Sequence, residues 1–495
     1  MILNATFLAA FLGAALVLAL PERWARGVAL AAALAGLGFA ASAFSGYDNA
    51  PGAPHFQFVT QAPWVPALGI SFHTGADGIS LALLVLTGII AVAGVLFSWN
   101  VAHRPRAFFA FYLVIIGGVY GVFQSFDLFL LFVFYEIVII PKYFLISAWG
   151  STNREYGAMK LTMYSAAGSA LVLLAILATS AASGAHTFDL LALADPSRAS
   201  FAPAFQAWVF PVMFVGFAVL AGLWPLHTWA PTGHVAAPTA VSMLLAGVVM
   251  KLGSYGALRV AMTLFPIGLA QWKFPIAVLA AAGILLGALV ALAQRDLKFT
   301  VGYSSIAHMG FVLLGLMTLN LSGLGGAVLQ MFSHGIIGGL LFAVVGRMIY
   351  DRTHTRDIAE LGAMGLARTL PFAAATFTVA SVASMGLPGF SGFIAEFTIL
   401  KGAWMAFPPL LIPAGLGVVV TVAFTLIALQ RTFFPAGEAP APPPLPPITP
   451  PEKLGALLLM AATLAVGLFP SVLLDPILRS FESPLMRTLI QGGPR

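Results

Sequence analysis

The stretch Gly386-Leu387-Pro388-Gly389-Phe390 interrupts an apolar run from 371 to 400, and Gly222-Leu223-Trp224-Pro225-Leu226-His227 interrupts another from 205 to 228. Proline removes an amide donor and clashes with the preceding turn, while glycine tolerates the open backbone beside it. A membrane-spanning helix needs about 20 apolar residues at about 1.5 Å each to cross about 30 Å of hydrocarbon. That ruler marks fourteen spans: 3–20, 27–45, 78–99, 107–124, 127–149, 157–182, 205–228, 239–262, 274–293, 299–318, 323–348, 371–400, 409–430 and 454–475. The two interrupted spans are the seventh and the twelfth. They lie an odd number of spans apart, so the five-helix units containing them have opposite orientations. Paired broken helices in inverted repeats point to an ion pathway at mid-membrane; chance proline kinks are the plainer alternative. The expected fold is therefore an all-α integral membrane protein of about 14 helices with two inverted five-helix repeats.

Composition agrees with lipid as the solvent. Only 8% of the 495 residues are charged and 60% are hydrophobic, too few charges to cover a water-facing surface. The 23 basic residues exceed the 17 acidic ones, but they are scattered between apolar runs, which reads as topological charge rather than a nucleic-acid surface. With no cysteine, thiolate-bound iron–sulfur clusters, thiolate zinc and disulfides are excluded. The glycines at Gly117, Gly118 and Gly121 lie inside an apolar helix and serve packing rather than dinucleotide binding. The run Ile2 to Leu20 has no basic leader and reads as a first spanning helix.

The connections are short apart from an aromatic, proline-rich loop near 46–75, a polar loop near 183–203, the basic stretch Arg347 to Arg368 and a proline-rich segment from Pro442 to Pro451. The last is expected to be an extended, non-helical tether. The units are then 1–106 (three helices and a loop), 107–262 (first repeat), 272–433 (second repeat) and 434–495 (linker, last helix and tail). Alternate loops beginning with Arg23 and Arg26 carry most of the Lys and Arg. The positive-inside rule therefore places both termini outside the cytoplasm, in a multi-pass protein of a bacterial-type inner membrane.

Ionisable residues inside spans are functional candidates because hydrocarbon makes them expensive. Glu136 and Lys251 sit mid-span among apolar neighbours; each is either a proton carrier or an inert buried group, Glu136 protonated and Lys251 snorkelling. Glu396 follows the second break and either carries protons or caps the reopened helix. His308 and His334, on consecutive spans, suit proton exchange at neutral pH. Lys160 opens the sixth span, and His227 and His234 flank the first break, where capping of freed carbonyls is the alternative. Lys142 follows Pro141, six residues after Glu136 and so about 240° around the helix. Asp77, Asp127 and the group from Asp351 to Asp357 lie at span ends and are expected to be solvated or interfacial. Trp64, Trp149, Trp208 and Trp229 are expected to be interface anchors. A Glu–Lys–His–His–Glu series passes protons without making bonds, and nothing in the sequence resembles a nucleophile with its base or a metal cage.

Four motifs occur in one order. They are the run from Ala62 to Ser80 with Ala76-Asp77-Gly78-Ile79-Ser80, Phe134-Tyr135-Glu136-Ile137 with Pro141-Lys142-Tyr143-Phe144, the segment Pro225-Leu226-His227-Thr228-Trp229 through Ala240, and Tyr303 through Phe311. In these the chain resembles the antiporter-like membrane-arm subunits of proton-pumping NADH:quinone oxidoreductase, essentially end to end. Glu396 matches the M-type branch (NADH dehydrogenase subunit 4), whose L and N relatives have Lys there. The resemblance implies a proton relay along a buried axis of Glu136, Lys251, His308, His334 and Glu396, coupled to quinone reduction elsewhere. It also implies no cofactor in this chain, and L-like and N-like subunits with the lipid membrane as partners. One departure stands out. The family's seventh-span lysine, the partner of Glu136, is Leu220 here, so the first half is either rewired through Lys142 or Lys160, or uncoupled. A cation/proton antiporter or membrane-bound hydrogenase subunit is the alternative, together with a structural paralogue that does not conduct.

Overall fold

The computed structural model describes residues 2–435 and 444–490. Among the described residues twelve helices are long and apolar enough to cross a membrane, and the shorter apolar helices Asn4–Ala19 and Pro371–Ser384 bring the passes to fourteen. The third (Gly78–Phe97), eighth (Thr239–Met262), tenth (Leu297–Met317) and eleventh (Leu321–Thr353) helices form the centre, the eighth and eleventh being buried throughout. A helix apolar all round can be enclosed by its neighbours. The second, sixth, thirteenth and fourteenth turn much of their surface outward. Glycine lets neighbouring helices close: a side chain at Gly118 would strike Val138, and one at Gly121 the Phe134 ring.

The two halves start alike. Asp127 caps the fifth helix (Leu128–Trp149) and forms an isolated β-bridge with Asp189; Asp296 caps the tenth and bridges Asp357. In the first bridge Leu128 N–H donates to Phe188 O at 2.8 Å and Leu190 N–H to Phe126 O at 2.7 Å. In the second, Leu297 N–H donates to Arg356 O and Ile358 N–H to Arg295 O, both at 2.9 Å. Each of the four aspartates accepts from the first amides of the helix it opens, satisfying donors that a helix start leaves unpaired. Five spans separate the two devices, so they sit on opposite faces of the bundle. The fold is the all-α, fourteen-pass architecture with two inverted five-helix repeats.

Several expectations are corrected. The loop near 46–75 contains an antiparallel hairpin, Gln57–Val65 paired with Ile70–Ala76, turned at Gly69 with φ +70°. The paired strands satisfy each other's backbone groups. The ninth span begins at Pro266, because proline is tolerated in a first turn. The last span is Pro450–Leu468, followed after Pro470 by a separate helix, Ser471–Ser480. Pro450 and Pro451 are thus helical, in the first turn where no amide is needed. Residues 444–449 are non-helical, and Pro442 and Pro443 of the expected tether lie outside the described residues.

Asp77 and Asp127 are fully buried rather than solvated, Asp127 accepting from the Ser71 amide and hydroxyl and Asp77 from Arg259. Trp229 is buried and is no interface anchor: its indole N–H donates to Val219 O at 2.8 Å, satisfying a carbonyl freed by the first helix break.

Candidate functional site

Around the second break the sequence brings four helices to one point. Gly386 ends the half-helix Pro371–Ser384 with φ +72°, and the chain resumes as Ser391–Ala406 carrying Glu396. A Cβ at Gly386 would stand 3.2 Å from Glu396 Oε2, so glycine both makes the turn and leaves room for the carboxylate. The restart is tied down by Ser391, whose hydroxyl bonds Ser333 at 2.8 Å and Thr463 at 2.9 Å.

His308 of the tenth helix is clamped across this break. Its Nδ1 lies 3.0 Å from Glu396 Oε1 and its Nε2 lies 3.1 Å from the Ser384 hydroxyl. If Nδ1–H donates to the carboxylate, Nε2 accepts from Ser384; the tautomer follows from that network. Gln330, one turn before His334, donates to Glu396 Oε1 at 3.3 Å. The His308 and His334 rings stand 5.5 Å apart between centroids and tilt by 33°. His334 Nδ1 is 2.7 Å from Lys251 Nζ, and the same ammonium donates to Ala246 O within a π turn, Leu245–Val249. Such turns recur where a helix must present a functional group. His334 Nε2 has no partner within the protein and borders a small cavity shared with Ser304, His308 and Glu396.

Lys251, His334, His308 and Glu396 therefore form one buried row, none more than 7% exposed. Two of its three links are direct, Lys251 with His334 and His308 with Glu396, and Ser384 holds His308 from the side. Between the imidazoles there is ring proximity without a hydrogen bond. Among the described residues no three His, Cys, Asp or Glu side chains stand together as a metal site.

The first half is arranged differently. Glu136 is half-buried on the flank of the fifth helix that also bears the exposed Ile140, and its Oε1 has no partner. Lys142 is fully buried on another face, with Tyr135, Val138 and Ile139, and its Nζ has no partner either. The two residues leave the helix in different directions, as the 240° offset implies. Leu220, 1% exposed, occupies the position where the resemblance leads one to expect lysine. Lys160 is half-buried, 3.4 Å from Thr232 Oγ1 on the short helix Trp229–Ala236, and His227 stands edge-on to Tyr303. Lys160 and His227 thus lie beside the first break, and no hydrogen bond joins them, Glu136 or Lys142 to the Lys251 row.

Lys298 escaped the sequence reading, where it counted as a loop charge at the start of the tenth span. It is 3% exposed and donates to Val235 O at 3.2 Å and Ala237 O at 2.7 Å, capping the short helix after the first break. His234, fully buried, stacks on Phe342 at 4.5 Å with both ring nitrogens unpartnered. It lies within electrostatic reach of both Lys298 and Lys251. Lys298 also lines a basin of about 260 Å³ with His103, Arg347 and Asp351 on the basic face of the bundle. Gln330 and Ser384 were missed as well, since single polar residues in apolar helices carry no distinguishing pattern.

A family model described as "NADH:quinone oxidoreductase/Mrp antiporter, TM" matches residues 125–425. The chain is 36% identical to NADH-quinone oxidoreductase subunit M of Rhodobacter capsulatus, with 92% of this chain and 89% of that protein aligned. It is 38% identical to NAD(P)H-quinone oxidoreductase chain 4 1 of Synechococcus sp. (strain JA-3-3Ab), over 91% and 86% of the two chains. Among solved structures, a chain of respiratory complex I from Thermus thermophilus with bound NADH superposes with a TM-score of 0.87 at 30% identity, over 98% of this chain and all of that one. A chain of the Mrp complex from Dietzia sp. DQ12-45-1b shares the fold, with a TM-score of 0.76 at 21% identity over 98% and 95%. With the match spanning both broken helices and the buried row between them, the chain belongs to the NADH:quinone oxidoreductase/Mrp antiporter transmembrane family.

Proposed function

We propose that this chain is the M-type, proton-translocating subunit of the membrane arm of an NADH:quinone oxidoreductase. It carries no redox chemistry of its own and no cofactor; electrons pass elsewhere in the complex. The observation that carries this reading is the row Lys251–His334–His308–Glu396. Each member is ionisable, buried and within hopping reach of the next. A buried charge without a partner is costly, so a change at one end of the row shifts the proton preference of its neighbour. Protons enter from the basic, cytoplasmic face through the Lys298 basin, pass His234 to Lys251, and move along the histidines to Glu396. Glu136 and the lysines near it, Lys142 and Lys160, couple this row to the next subunit along the arm, with His227 at the first break. The partners are L-like and N-like subunits, the membrane is a bacterial-type inner membrane, and both termini lie outside the cytoplasm.

The test uses the intact complex in vesicles. Lys251→Ala and Glu396→Gln should each lower quinone-coupled proton transfer by about 10²-fold, the usual lower scale for removing a positioned proton-transfer group. Normal proton/electron ratios in both variants would leave a non-conducting structural subunit as the better reading. A sodium-driven proton movement independent of quinone would instead favour a cation/proton antiporter.

A further inference from the structure

The outward ends of the third and eighth helices hold a second polar cluster that the row above does not use. Asp77 and Arg259 are both fully buried, with Arg259 Nη2 donating to Asp77 Oδ1 at 2.6 Å. The same Nη2 reaches Ser80 Oγ at 3.1 Å, and Nε donates to the Tyr255 hydroxyl at 3.3 Å. Ser80 and Tyr255 share a hydrogen bond of 3.0 Å, and Tyr255 donates to Phe123 O. Two atoms of this cluster are left over: Asp77 Oδ2 and Arg259 Nη1 are buried without a partner in the protein.

The cluster points at Lys251. Lys251, Tyr255 and Arg259 are spaced by four residues on one helix, so they share a face, and Arg259 lies two turns from the lysine, about 12 Å along the axis. Ser254, between them, is fully buried and its hydroxyl is also unpartnered. Arg259 sits in a π turn, Ala257–Met262, as Lys251 sits just after another. On the outward side Tyr47 lies within electrostatic reach of Asp77 and Arg259, and the Arg479 guanidinium stands 6.0 Å over its ring. Burial and the nearby Asp77 push the Tyr47 phenol up to about 12, and its hydroxyl donates to His55 O at 3.2 Å.

We propose that Asp77 and Arg259 form an outward release gate for protons held at Lys251, with Tyr255 and Ser80 as the hydroxyl bridge. The proton leaves Lys251 Nζ and passes Ser254 to the Tyr255 hydroxyl, Tyr255 gives up its own proton to Ser80 Oγ, and Ser80 gives its proton to Asp77; at each step one N–H or O–H bond breaks as the next O–H bond forms. The Arg259 guanidinium paired with Asp77 puts a fixed positive charge at the outward end, which opposes protons returning from outside. As a clamp alone the pair is a poor choice, because well-packed apolar side chains often hold helices together as well as a buried ion pair. This gate rests on the proposed relay, and adds a branch at Lys251 distinct from Glu396.

The experiment compares Asp77→Asn, Arg259→Gln and Tyr255→Phe with Lys251→Ala in the intact complex reconstituted in vesicles. Proton/electron ratio, quinone reduction and decay of an imposed pH gradient are read for each. Asn is as good a helix cap as Asp, so Asp77→Asn should assemble. The expected result is a lowered ratio with quinone reduction retained in Asp77→Asn and Tyr255→Phe, and faster gradient decay in Arg259→Gln. If Lys251→Ala loses pumping while these three keep a normal ratio and a tight membrane, the cluster is a structural clamp and the gate is wrong. If Lys251→Ala also pumps normally, it is the relay that fails. Should Asp77→Asn and Arg259→Gln not assemble, Tyr255→Phe, which removes one hydroxyl, decides alone.

Discussion

The two halves of the molecule start with the same aspartate-capped bridges, yet their interiors differ. In the second half a broken helix, two histidines and an acid are drawn into direct contact, and Lys251 joins them through His334. In the first half Trp229 bonds the Val219 carbonyl beside the corresponding break and Leu220 is buried, while Glu136 and Lys142, within electrostatic reach of each other, have side-chain atoms without a hydrogen-bond partner. The difference shows that a repeat preserves backbone devices more strictly than the charges it displays. Caps and breaks are needed to build the bundle; which side chains carry protons is free to diverge.

The sharpest way to break this contrast is to cut the connected half. His308→Ala removes the bridge between His334 and Glu396 and should lower coupled proton transfer by about 10²-fold or more in reconstituted vesicles. Retained pumping would mean that the two halves are equivalent after all. Next in size is the disconnected half. Lys142→Ala should lower the proton/electron ratio if Lys142 replaces the lysine missing at Leu220, and adding Leu220→Lys should restore it. Because a buried amine without a hydrogen-bond partner is removed, thermal stability of Lys142→Ala should be unchanged or raised. If neither substitution alters the ratio or the quinone-reduction rate, the first half is not rewired.

A smaller effect tests the hinge. Gly386→Ala forces a side chain into a positive-φ turn and against Glu396, at a cost of about 1–3 kcal/mol. The expected signature is a lowered melting temperature with proton transfer impaired more than assembly; at Gly52, whose φ is +89° with open space around it, the same change should leave proton transfer intact.

The smallest effect concerns the hairpin on the outward face. His73 Nδ1 lies 2.6 Å from Asp189 Oδ2, holding the hairpin to the crossover at 183–202. Burial alone would raise the Asp189 pKa, but the His73 bond and the amides of Leu191 and Ala192 overcome it and hold the carboxyl below its usual range. An acid with a depressed folded pKa contributes stability that is present above its unfolded value, about 3.9, and lost as pH falls through the folded one. Hydrogen exchange of the segment around Asp189, corrected for intrinsic chemistry, should therefore accelerate in acid. Asp189→Asn should abolish that acid transition; an unchanged transition would assign it to another group.

Span number, the two breaks and the candidate row were legible because hydrocarbon imposes severe rules. Apolar length marks a crossing, Gly-Pro clusters mark an interruption, and an ion in mid-span stands out against its neighbours. Glu396, His308, His334 and Lys251 were found for that reason. Residues at span ends were misread for the converse reason. Asp77 and Asp127 lie where water is expected, and no local pattern reveals that another part of the chain covers them. Trp229 looked like an anchor because an indole suits an interface, but its N–H was recruited by a broken helix.

The sequence by itself determined that this chain crosses a membrane many times, where its helices break and which residue types are too polar for their surroundings. Those properties follow from free energies of transfer and backbone geometry, which act residue by residue. Only the tertiary structure decided which polar groups meet. The 2.7 Å contact of Lys251 with His334, the clamp on His308 and the isolation of Lys142 depend on helix rotation and packing, set by contacts between residues far apart in the chain.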